Sequence, residues 1–97
     1  MNEPIEYKLI DGKFTAHEAR EILLDMINKK IQFHQLKNFS SEERFGKSLP
    51  SSLKRIEELE KDKVDVLNKM EIAMLGQYEL RIKSSIVVEF CKQPELV

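Results

Sequence analysis

The apolar residues of this chain change their spacing twice, and that constrains the fold more than any single residue does. Ile5, Tyr7 and Leu9 alternate with Glu6 and Lys8, the period of a strand with one face covered. Ala19, Ile22, Leu23, Met26, Ile27 and Phe33 then recur at helical spacing, as do Leu53, Ile56, Leu59, Val66, Leu67, Met70, Ala73 and Met74. Tyr78, Leu80, Ile82, Ile86, Val88 and Phe90 finally share one parity against Glu79, Arg81, Lys83 and Glu89. The order is therefore β-α-α-β. Two successive helices return the chain toward its start, so the expected class is α+β, a two-helix antiparallel hairpin packed on a small antiparallel sheet.

Local signals set the expected boundaries. Asp11-Gly12 predicts a turn after the first strand. Thr15 and Glu18 have capping-box spacing and predict a helix start. Asn38 to Pro50 breaks the helical period; within it Ser40 and Glu43 repeat the capping pattern, which predicts a separate short turn ending at Gly46. Pro50 suits the first turn of the second helix, and Gly76 suits its end. A heptad reading of that helix puts Leu53, Ile56, Glu60, Lys63, Leu67, Met70 and Met74 on the seam, with a Glu60–Lys63 charge pair interrupting it, so no continuous coiled coil is expected. Ser84-Ser85 lacks the Gly, Asn or Asp of a two-residue hairpin, so the last segment reads as one strand. The expected core is Leu23, Met26, Ile27, Leu67, Met70 and Leu80.

A chain of 97 residues has room for a single domain spanning 1–97, and a 41% hydrophobic composition is enough for it to fold. The only cysteine, Cys91, excludes an internal disulfide and multi-cysteine metal sites, and suits packing at a strand end in a reducing cytoplasm. No signal-peptide core is legible, and the longest apolar run, Ile72 to Leu75, cannot span a bilayer, so no membrane partner is expected. Two strands are marginal in water, so a second copy is expected to complete the sheet, as a homodimer.

Chemistry is sparse. There is no nucleophile elbow, phosphate loop or dinucleotide fingerprint, and His17, His34 and Cys91 complete no metal spacing. No catalytic residue, cofactor or metal is assigned, and a non-enzymatic role is expected. Lys30 and His34, one turn apart on the apolar side of the first helix, are a candidate pocket pair. The formal charge of −1 gives no global pull on nucleic acid, yet Lys29 to Arg55 holds seven cations against two carboxylates, and Ile56 to Glu79 three against seven. A hairpin would set Lys37, Arg44, Lys47, Lys54 and Arg55 near its tip, with Phe33, Phe39 and Phe45 interleaved, a pattern suited to an anion or nucleic-acid contact.

The stretch Lys30 to Gly46, KIQFHQLKNFSSEERFG, resembles a segment of small uncharacterised bacterial proteins. The resemblance implies a bacterial origin and carries no activity or ligand. The expected function is a protein-interaction or assembly module acting as a homodimer; a nucleic-acid-binding regulator using the basic tip is the alternative.

Overall fold

The computed structural model describes residues 3–94. Their order is β1 (Ile5–Thr15), α1 (Ala16–Phe45), α2 (Pro50–Leu75) and β2 (Glu79–Val88), with β1 and β2 forming a two-stranded antiparallel sheet, so the class is α+β. The chain divides into two compact units: a helical unit, Phe14–Leu80, and a strand unit drawn from the chain on either side of it.

The helical unit starts where the capping box predicts. Thr15 Oγ1 accepts the Glu18 amide at 3.1 Å, and Glu18 Oε1 accepts the Thr15 amide at 2.9 Å, so two otherwise unpaired donors of the first turn are satisfied. The helix then runs through Asn38, Ser40 and Ser41 without the predicted break and ends at Gly46, whose φ of 65° is the left-handed cap conformation. The reason is Asn38. Its Nδ2 donates to Glu42 Oε1 at 2.9 Å, an i,i+4 bond along the helix, and its Oδ1 accepts the Leu49 amide at 2.7 Å across the turn. Glu42 Oε1 also accepts from Ser48 Oγ at 2.9 Å, so the polar cluster that reads as a break in sequence instead closes the hairpin. Pro50 stands in the first turn of α2, as predicted. At the far end Gly76 keeps an ordinary φ of −87°, and it is Gln77 that takes a positive φ of 57°.

Inside the hairpin the buried and half-buried residues of α2 are Ser52, Ile56, Leu59, Lys63, Val66, Leu67, Met70 and Ala73, which, Leu67 apart, fall at steps of four and three. The matching positions of α1 are Arg20, Leu24, Ile27, Ile31, His34, Asn38 and Ser41. The mean step of 3.5 residues keeps one stripe of each helix toward its partner. The α2 seam uses Ser52, Leu59, Val66 and Ala73 in place of Leu53, Glu60, Leu67 and Met74, each one position earlier. Small residues, Ser52 and Ala73, stand buried at its two ends, and Lys63 is half-buried with no ion pair to Glu60. Of the predicted core only Met70 is buried; Leu23, Ile27, Leu67 and Leu80 are half-buried, and Met26 is exposed. The apolar residues of α1 lie on more than one side, so a single partner helix cannot cover them all. Ile31, Leu59 and Met70 are the large buried side chains, each contributing about 1.5–3 kcal/mol.

In the strand unit β1 passes straight through Asp11-Gly12, correcting the predicted turn; Gly12 does not adopt the positive φ that a tight hairpin turn needs. The longer strand reverses the expected face. Ile10, Gly12 and Phe14 are half-buried, whereas Ile5, Tyr7 and Leu9 are exposed. β2 runs unbroken through Ser84-Ser85, as predicted, with Leu80, Ile82 and Ser84 half-buried and Ile86, Val87 and Val88 exposed. Arg81 approaches Asp11 at 3.9 Å, an exposed pair worth little. Cys91, expected to pack at a strand end, is exposed beyond β2.

Candidate functional site

The residues singled out for an anion contact all lie near the hairpin turn, but only two of them meet in one cleft. Lys37 and Arg44, seven residues apart, project from the same side of α1 because seven residues make almost two full turns. With Ser40, Ser41, Phe45 and Leu49 they line a cleft of about 230 Å³. The surface of this hollow is mainly apolar, and the Lys37 ammonium and Arg44 guanidinium are the lining groups that an anion would meet. Lys47 lies in the turn and Lys54 on the first turns of α2, both exposed; Arg55 is held by Glu58, one turn on, at 3.3 Å. Lys29 likewise belongs to the middle of α1, where Asp25 binds it at 3.0 Å. The basic tip is thus smaller than the charge count along the sequence suggests. Phe33, Phe39 and Phe45 are exposed, as a stacking role needs.

Lys30 and His34 meet through Phe33. The Lys30 ammonium lies 5.4 Å from the Phe33 ring centroid, and the Phe33 and His34 rings stand edge to face with centroids 5.2 Å apart. His34 Nδ1 is buried without a hydrogen-bond partner among the described residues, because its helix position turns it into the apolar seam. His17 is exposed, as expected for a first-turn residue. Among the described residues no three His, Cys, Asp or Glu side chains come together as a metal site, and no helix is long and apolar enough to cross a membrane.

What the sequence reading missed is exposed apolar surface. On α1, Phe33, Leu36 and Phe39 are more than half exposed; Leu36 and Phe39 border a hollow with Gln32 and Gln35. In the strand unit Tyr7, Leu9 and Val87 are equally open. The signal was available: α1 carries apolar residues around much of its circumference, and each strand carries an apolar stripe of its own. Comparison with protein-family models, with curated proteins and with solved structures gives no match.

Proposed function

We propose that this protein is a non-enzymatic assembly module that works as a homodimer. The observation that supports this reading is the distribution of apolar side chains. No described residue of the strand unit is buried, although it contains Ile5, Tyr7, Leu9, Ile86, Val87 and Val88. A pair of strands whose described residues are at most half-buried is marginal in water, and clustered exposed apolar side chains suit contact with another macromolecule. A reducing cytoplasm in a bacterial cell is the setting in which this reading places the single exposed thiol of Cys91. Sedimentation and light scattering at 1–100 μM, a range bracketing ordinary dimer affinities of roughly −6 to −8 kcal/mol, should report twice the chain mass; a monomer throughout rejects the reading.

The cleft between Lys37 and Arg44 favours a second reading, contact with a nucleic-acid backbone. Binding of labelled oligonucleotides that weakens steeply with salt supports it, and the absence of binding at low salt removes it.

A further inference from the structure

Resting on the homodimer reading, we infer that the interface is the outer edge of β1, paired antiparallel with the same edge of a second copy about a two-fold axis through Tyr7. Among the described residues the sheet has two strands, so one edge of β1 is hydrogen-bonded to β2 and the other has no strand beside it. Edge strands ordinarily discourage pairing with inward or unpaired charge. The charges of β1 do the opposite. Read in either direction, Ile5-Glu6-Tyr7-Lys8-Leu9 is apolar, charged, aromatic, charged, apolar, with the two charges opposite in sign.

An isologous contact sets residue i against residue j and j against i. With Tyr7 on the axis, Glu6 faces Lys8 of the second copy and Lys8 faces its Glu6, giving two equivalent ion pairs on one face of the sheet. Ile5 then faces Leu9 on the other face, beside a Tyr7–Tyr7 pair. Opposed charges, aromatic pairs and aliphatic pairs are the cross-strand neighbours that stabilise antiparallel sheets. Neither Glu6 nor Lys8 has an ion-pair partner in the isolated chain among the described residues, and Tyr7 and Leu9 are 54% and 55% exposed, so all are free to engage. The result is a four-stranded sheet in the order β2-β1-β1-β2, which removes the marginal two-stranded state. The edge of β2 is less suited. A two-fold at Ser84 would oppose Arg81 to Val87 and Lys83 to Ser85, and one at Arg81 would pair Glu79 with Lys83 but set the two Arg81 guanidinium groups against each other.

Charge reversal tests this directly. Glu6→Lys and Lys8→Glu each place like charges opposite one another twice and should weaken self-association about tenfold at low salt. Their equimolar mixture should regain it as a heterodimer, and the double variant Glu6→Lys/Lys8→Glu should regain it alone, which also shows that loss in the single variants is not misfolding. Tyr7→Cys in a Cys91→Ser background should oxidise to a disulfide-linked dimer, since facing residues on antiparallel strands lie within disulfide reach. A wild-type dimer indifferent to charge reversal and not cross-linked at position 7 overturns the β1 interface and leaves the homodimer reading standing. A wild-type monomer overturns both.

Discussion

The helical unit and the strand unit are equally rich in apolar side chains, yet every buried residue belongs to the first. Ala16, Ala19, Ile31, Ser52, Leu59, Met70 and Ala73 all lie between Thr15 and Gly76, and the strand unit has none among the described residues. The difference follows from what each element needs. A helix satisfies its backbone within itself and has one main stripe to cover, so a second helix of similar length suffices. A strand pair leaves two edges and two faces open, and covering them takes more chain than this unit has. Apolar content alone therefore does not make a core; the number of surfaces an element presents decides whether it can close on itself.

The sharpest way to break this contrast is to truncate one side chain in each unit. Leu59→Ala, in the middle of the α2 seam, should cost about 2–5 kcal/mol in urea unfolding followed by helix circular dichroism. Val87→Ala, at an exposed strand position, should move the same midpoint by less than about 0.5 kcal/mol. Equal effects would mean that the strand unit is as well packed as the hairpin. A smaller effect is expected at the turn. Asn38→Ala removes the acceptor of the Leu49 amide and the donor to Glu42, and should cost about 1–2 kcal/mol while raising hydrogen exchange at Leu49 before it rises along the seam.

The smallest effect concerns the start of α1. Hydrogen bonds from the Thr15 backbone and side chain hold the exposed Glu18 carboxyl below its ordinary value of 4.5. A depressed folded-state pKa contributes stability that is present above the unfolded value and is lost as pH falls through the folded one. Helix content near the start of α1 should therefore decline with acid below about pH 4.5. Glu18→Gln, which keeps a capping-box acceptor without a titrating group, should flatten that part of the acid profile.

Element types were legible because period and capping depend on neighbours a few residues apart. Thr15, Glu18, Gly46 and Pro50 act where the spacing predicts. Which stripe of α2 faces α1 was not legible. Leu53 and Ser52 both fit a helical repeat and the larger, apolar residue is the natural choice, yet Ser52 is buried and Leu53 is exposed. Asn38 misleads for a related reason: its polarity reads as a break because the group it serves, the Leu49 amide, lies 11 residues away. For the basic site, the i,i+7 relation of Lys37 and Arg44 is visible in sequence, whereas Leu49, which walls the cleft, arrives only once the turn closes. The chemical palindrome around Tyr7 is also written in the sequence, but it gains meaning only when β1 is seen to have a free edge.

The connection between the strands has a kinetic consequence. β1 and β2 pair directly, but the whole helical hairpin, Ala16 to Tyr78, separates them along the chain. Contacts between α1 and α2 close through a four-residue turn and form early, whereas strand pairing waits on a loop more than ten times longer. During synthesis, at roughly 5–20 residues per second, β1 spends several seconds with both edges open before β2 leaves the ribosome. In that interval the backbone donors and acceptors of β1 are met by water alone, so the strand pair is the last part of the fold to close, after the hairpin between its two strands.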